Sequence, residues 1–339
     1  MGAEVGRTSP RRVVLLITTA LVSVAVGLAM AEFTARESGR RPRRPIQRPE
    51  PAVHTPDPVL GWRTVPGHYL FGPYSPEGAQ AIVTIRPDGA RDTGDGSSTG
   101  RPLVLLVGCS FTFGWAVSDD QTWAWRLQAL RPDLEIENRG VEGYGTLQAL
   151  LLLDELLKRG ERPARVLYGL YDHAVRNVAA PGWLWQLSFN KQAVATPYCD
   201  LGAGGALQCH PPALYPSLPF HEYLALVAML ENNLARLRAG GRQEQGVQVT
   251  KLLMERMAAL CKEYGIPFSI VVLQLQERPA ADYIPFDKQR GIDVINCNHP
   301  RFTAADIVTG EGHPNESVHR FWADCIAAAL AEPQRLPPG

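Results

Sequence analysis

A serine, a histidine and a carboxylate carry the strongest chemical signal in this 339-residue chain. Ser110 follows the apolar run Leu103 to Val107 (LVLLV) and Gly108-Cys109, which places it just past the end of a strand buried on both faces. Late in the chain, Glu311-Gly312-His313-Pro314-Asn315 precedes an amphipathic stretch, and Pro314 suits a first helical turn. If that segment is extended, residues two apart face the same side. Glu311 can then accept the Nδ1 hydrogen of His313 while Nε2 faces Ser110. Such a set supplies a nucleophile, a general base and a group that orients the base. Gly140, Gly143 and Gly145 of ENRGVEGYGT let backbone N–H groups approach a ligand, and Gly143 is the candidate amide for an oxyanion. Taken by position alone, Ser110 reads better as a helix cap; the later segments shift the balance towards chemistry.

These residues need a scaffold that brings positions two hundred residues apart to one edge. Strands are expected at Leu103 to Val107, Leu134 to Glu137, Arg165 to Leu170, Pro267 to Leu273 and Ile292 to Ile295. Between them, Thr250, Leu253, Met254, Met257, Leu260 and Cys261 recur at three- and four-residue steps. Val318, Phe321, Trp322, Cys325, Ile326 and Ala329 do the same. Strands alternating with amphipathic helices predict a doubly wound parallel sheet with helices on both faces, with ligands bound beyond the carboxyl ends of the strands.

The rest of the chain sets the context. Lys and Arg number 34 and Asp and Glu 34, a balance that gives no reason to expect nucleic acid or an acidic partner. None of the six cysteines forms a Cys-x-x-Cys pair, and His210, His221 and His299 lack metal-ligand spacing, so no metal or organic cofactor is expected. Cys199 and Cys209 bracket CDLGAGGALQC, which is short and flexible enough to close as a disulfide in an oxidising compartment or to stay as two thiols.

After a basic region at 1–12, residues 13–31 carry no charge, close to the ~20 residues that cross a bilayer as a helix. Ala29-Met30-Ala31 also fits a secretory cleavage site, so transmembrane anchor and signal peptide both stay open, with the following domain extracytoplasmic or secreted. The arginines that follow, Arg36 to Arg48, oppose export under the positive-inside rule. A Pro/Arg-rich linker is expected over 32–58, a small β lead-in over 59–100 and the catalytic domain over 101–332. Trp183, Trp185 and Phe189 form an apolar cluster that reads as packing or, less strongly, as a substrate wall.

Four ordered blocks, GCSFTFGW, NRGVEGYGT, VLYGLYDHAVRN and EGHPNESVH, resemble those of the SGNH (GDSL-like) hydrolases from about Leu103 to Ala331. The lead-in is similar to that of exported or membrane-anchored members. The resemblance implies a three-layer α/β/α, flavodoxin-like fold, Ser110 as nucleophile, amides of Ser110 and Gly143 as an oxyanion hole, and His313 as base. Three departures matter. Cys109 replaces the usual Asp of Gly-Asp-Ser and reads as a packed thiol. The acid is Glu311 where the family uses Asp, with Asp306 a less well-placed alternative. No Asn stands in the third block, where Tyr171-Asp172-His173 occurs instead, leaving Asn177, His173 or Tyr171 as the possible third oxyanion donor. Loss of one such donor costs ~100 to 1,000 fold in rate. Asn315 is expected near a helix start and His319 on the polar side of that helix.

The implied activity is hydrolysis of oxygen esters, acyl or acetyl, on carbohydrate or lipid. The alternatives are O-acetyl transfer to an envelope polysaccharide, or a non-catalytic binding protein on the same fold.

Overall fold

The computed structural model describes residues 9–43, 52–94, 100–184, 195–214, 217–299 and 301–332. In chain order the elements are helix α1 (Pro10–Glu37), strands β1 (His54–Asp57), β2 (Gly61–Thr64), β3 (Gly67–Phe71), β4 (Ala81–Ile85) and β5 (Leu103–Gly108), then α2 (Ser110–Phe113) and α3 (Trp123–Leu130). Next come β6 (Glu135–Gly140), α4 (Thr146–Lys158), β7 (Arg165–Tyr171), α5 (Ala174–Asn177), α6 (Pro181–Leu184), β8 (Thr196–Leu201) and β9 (Leu207–Ala213). The chain closes with α7 (Ala225–Ala239), α8 (Gly246–Glu263), β10 (Phe268–Gln274), α9 (Glu277–Gln289), β11 (Asp293–Asn296) and α10 (Glu316–Leu330). Two compact units result: one holds α1 and the segment up to residue 238 that contains α7, the other the remainder.

In the larger unit, five parallel strands lie in the order β11-β10-β7-β5-β6, each within a few residues of the run expected for it. Counted along the chain this is the order 2-1-3-4-5, whose switch point falls between β5 and β7. Alternation along β5 divides the core. Leu105 and Val107 join Val166, Ile270 and Val272 under α4 and α8, while Val104 and Leu106 join Leu167, Val271 and Ile295 under α3 and α10. The β5 side chains are apolar on both faces because both faces are covered, and each fully buried Leu contributes roughly 2 to 3 kcal/mol. The result is a helix, sheet, helix arrangement of three layers.

The carboxyl-end portions of β7, β5 and the edge strand β6 are shaped by glycine. Gly108 pairs in register with Gly140 and with Gly169. A Cβ would lie 2.2 Å from Thr112 Oγ1 at Gly108, 2.1 Å from the same atom at Gly169 and 2.4 Å from Phe113 N at Gly140. Any side chain at these positions would push α2 off the strand ends, so the glycines allow the helix bearing Ser110 to close tightly over the sheet.

The lead-in, expected from residue 59, begins earlier, at His54, and consists of two antiparallel pairs, β1 with β2 and β3 with β4. Its apolar side chains Tyr69, Phe71, Val83 and Ile85 form a small core with Phe113, Trp115 and Ala116, the residues just after the nucleophile. Arg91, 1% exposed, ties the two together. Its guanidinium donates to Asp119 Oδ1 at 3.0 Å, to the carbonyls of Phe113 at 3.0 Å and Val117 at 2.7 Å, and to that of Gly114.

Several expectations change on contact with the structure. Helix α1 outruns the uncharged stretch by six residues, Glu32 to Glu37, so the spacer starts later than residue 32; Glu32 pairs with Arg36 one turn on. The spacer around 44–51, together with Trp185 and Phe189, lies outside the described residues, while Trp183 packs against the main core. Cys199 and Cys209 are joined, and so are Cys297 and Cys325, a bridge from the end of β11 to α10 with no sequence signal. Cys109 and Cys261 remain buried free thiols. His319 is not on a polar helix face: it is 1% exposed and its Nδ1 accepts the Trp123 amide at 3.2 Å. Burial pushes its pKa down to about 3, which fixes it as a neutral acceptor.

Candidate active site

Ser110 opens α2 directly after β5, and its side chain is almost fully buried. His313 reaches it from a turn formed by 306–315. There the Val308 amide donates to the His313 carbonyl at 2.8 Å, the Asn315 amide donates to Asp306 O at 2.9 Å, and Gly310 and Gly312 take φ of +83° and +94°. The segment is therefore a turn and not the extended run assumed from sequence, yet it achieves the same pairing. His313 Nε2 lies 2.9 Å from Ser110 Oγ, and His313 Nδ1 lies 2.7 and 2.9 Å from the two Glu311 oxygens. Glu311 also accepts the His313 backbone N–H at 2.8 Å, so the carboxylate holds both ends of the residue it orients.

Burial works to raise the Glu311 pKa, but hydrogen bonds and charge from His313, with a further hydrogen bond from Trp115, outweigh it and hold the carboxyl below the usual range. The anion is therefore present at neutral pH, as an orienting group requires. Trp115 is buried against Phe71, with ring centroids 4.5 Å apart, so the lead-in acts on the site through this indole. Asp306, the other candidate acid, is engaged locally by Thr303, whose amide and hydroxyl donate to it at 2.8 and 2.7 Å.

Phe111 forms the aromatic floor. Its ring lies edge-on to His313 at 5.8 Å, against Tyr171 at 4.6 Å and against Trp322 at 5.7 Å. Beside Ser110, the loop after β6 is fastened to the end of β5 by the Val141 amide, which donates to Gly108 O at 3.1 Å. Gly143 in that loop takes φ +78°, and a Cβ there would stand 3.0 Å from the Trp62 ring, whose Nε1 donates to Glu142 O at 2.9 Å. Among the described residues, neither the Ser110 nor the Gly143 amide makes a hydrogen bond.

The three possible third donors fare differently. Asn177 is 1% exposed and its amide donates to Thr146 Oγ1 at 3.0 Å and Thr250 Oγ1 at 2.8 Å, while its oxygen accepts the Leu147 amide at 3.1 Å. Both of its N–H groups are engaged. His173 is fully buried, with Nδ1 2.8 Å from the Tyr168 hydroxyl; burial first and the nearby Arg176 second hold it neutral. Tyr171 stands at the end of β7, half-buried on Phe111, and its hydroxyl makes no hydrogen bond among the described residues.

Sequence reasoning missed Trp115, Arg91 and Phe111. The first two act through long-range packing with the lead-in, which no local spacing reveals. Phe111 had a signal in its adjacency to Ser110.

No protein-family model and no curated protein matches the chain. Among solved structures, it is similar to a lipolytic protein of the G-D-S-L family from Desulfitobacterium hafniense, at 12% identity and a TM-score of 0.42, covering 68% of this chain and 100% of that one. It is also similar to the esterase EstA from Pseudoalteromonas sp., at 12% identity and a TM-score of 0.41, covering 68% and 96%. A member of the lipolytic G-D-S-L family from Veillonella parvula aligns at 13% identity and a TM-score of 0.39, covering 69% and 99%. At such identities and scores these likenesses do not assign the chemistry, which rests on the side chains of this chain.

Proposed function

We propose that the chain is a serine esterase-type hydrolase of the SGNH kind that cleaves oxygen esters by acyl transfer through Ser110. The observation that carries this reading is the linear hydrogen-bonded series from Ser110 Oγ to His313 Nε2 at 2.9 Å and from His313 Nδ1 to Glu311 at 2.7 Å. In the first step His313 takes the hydroxyl proton as Ser110 Oγ bonds to the ester carbonyl carbon. The amides of Ser110 and Gly143 receive the oxyanion, and Tyr171 is the third donor. Collapse expels the alcohol, which carries away the proton from His313. Water then enters, gives its proton to His313 and attacks the acyl-serine; breaking the Ser110 ester bond returns that proton to the serine and frees the acid. Glu311 stays ionised throughout and stabilises the imidazolium.

The test is turnover of short p-nitrophenyl esters by the full chain beside Ser110→Ala and His313→Ala. The reading expects wild-type turnover with a loss of roughly 10³-fold or more in each variant while the fold is retained. Equal turnover in wild type and both variants would refute it. An acyl-serine that forms but is discharged only by an added sugar alcohol would identify a transferase.

A further inference from the structure

The smaller unit carries a feature that the proposed chemistry does not use. Helix α1 is the one helix among the described residues long and apolar enough to cross a membrane. Its uncharged run, residues 13–31, spans about 28 Å at 1.5 Å per residue, close to the ~30 Å hydrocarbon core, so little freedom remains in its depth. The next turns of α1, Glu32 to Arg36, then fall within about 8 Å of the hydrocarbon edge, in the layer of head groups.

The segment 217–226 is fastened at that level. The Glu32 carboxylate accepts the amides of Ala225 and Leu226 at 2.9 and 2.8 Å, which caps the start of α7, and Arg36 Nη2 donates to Tyr223 O at 2.9 Å. Ala35 is the one buried residue of α1. From the other side, Glu231, fully buried, gathers Arg43, the His221 ring at 2.6 Å and the Leu218 amide at 2.7 Å, and the Arg43 amide donates to His221 O at 2.8 Å. Moving the segment away would leave the buried Glu231 carboxylate uncompensated, so the backbone around residue 220 is pinned.

On this pinned segment, Phe220 is 67% and Tyr223 69% exposed, and Leu224 38%. Phe33 on α1, at the same level, is 66% exposed. Bulky aromatic side chains in water on a segment locked against so apolar a helix are unfavourable, whereas at the edge of a bilayer they are the preferred type, with an apolar body and, for Tyr, a polar tip.

We propose that Phe220, Tyr223 and Leu224, with Phe33, form a membrane-interface platform that inserts into the head-group layer of the bilayer crossed by α1. The occupant of this apolar face is thus lipid and not a protein partner. Arg36, Arg40 and Arg41, all exposed on the adjoining turns, stand at the level of the phosphates, where basic residues are attracted to anionic lipid. The unit is held at the membrane through α1, and the platform fixes its own depth.

The inference is independent of the esterase reading and is tested without activity. The full chain, with its two free thiols buried, is spin-labelled at Phe220→Cys or Tyr223→Cys and reconstituted into phosphatidylcholine–phosphatidylglycerol vesicles. Val22→Cys in the middle of α1 and Lys158→Cys on α4 serve as lipid and water references. At 220 and 223 the collision ratio of oxygen to an aqueous nickel chelate is expected to lie between the two references and several-fold above that of Lys158. Adding Glu32→Gln should lower it towards the water value. Ratios at 220 and 223 equal to that of Lys158 in vesicles would overturn the proposal.

Discussion

The ends of β5 and β7 are neighbours in one parallel sheet, yet they treat their polar residues in opposite ways. After β5, Ser110 keeps its hydroxyl for His313 alone, and its amide is left without a partner among the described residues. On the β7 side, Tyr168 of the strand and His173 and Asn177 beyond its end link with Thr146 and Thr250 in a buried network. Tyr171 rests on Phe111, the residue after the nucleophile. The lesson is that two strand ends of equal topological promise become site and scaffold according to where their hydrogen bonds are satisfied.

The largest expected effect on this contrast comes from the lead-in. Arg91→Ala removes a buried cation that serves Asp119 and three loop carbonyls, and a loss of roughly 3 to 5 kcal/mol in stability is expected by urea unfolding. An unchanged midpoint would show that the turn after Ser110 holds without it. The bridges are next. With loops of 28 and 10 residues in separation, reduction of Cys297–Cys325 is expected to cost ~3.5 kcal/mol and that of Cys199–Cys209 ~3 kcal/mol, read as two variants with paired serines.

The contrast itself is sharpened by a pair of substitutions on the β7 side. Tyr171→Phe should lower kcat by roughly 100 to 1,000 fold with the melting temperature unchanged. Asn177→Ala should do the reverse, costing about 1 to 3 kcal/mol in stability with a smaller effect on rate. If Asn177→Ala instead removed activity in a protein of normal stability, the division into site and scaffold would be wrong. Trp115→Phe keeps an aromatic face against Phe71 and deletes the hydrogen bond to Glu311; about a tenfold fall in kcat with KM unchanged is expected.

A pH trend spreads its effect over several pH units. His319 has a folded pKa of about 3, below the ordinary 6.5 of an exposed histidine, because it is buried. The unfolded chain therefore binds more protons between those values, so the stability tied to this residue is full above pH 6.5 and falls as the pH drops towards 3. The slope for one site is at most about 1.4 kcal/mol per pH unit. His173, buried and also lowered, adds in the same direction. His319→Gln should flatten the acid side of a melting-temperature profile and leave the alkaline side alone.

Much of this arrangement was legible in the sequence, for identifiable reasons. The continuous run LVLLV marks a strand covered on both faces, and the steps through Leu253, Met257 and Cys261 mark one helical face, because both signals are local. Ser110, His313 and Glu311 were legible because short blocks bracket them. The Cys297–Cys325 bridge, the burial of His319 and the hold of Trp115 on Glu311 were not, since each depends on elements meeting across the fold. The platform at Phe220 and Tyr223 was likewise hidden, because its meaning comes only from the hydrogen bonds that set it beside α1.

The most direct test of the central claim is covalent labelling of the full chain by a fluorophosphonate, with the modified residue located by mass spectrometry. The account predicts one adduct, on Ser110, lost in Ser110→Ala and slowed by at least about 100-fold in His313→Ala. A folded protein whose Ser110 stays unlabelled, or is labelled at the same rate without His313, would contradict it.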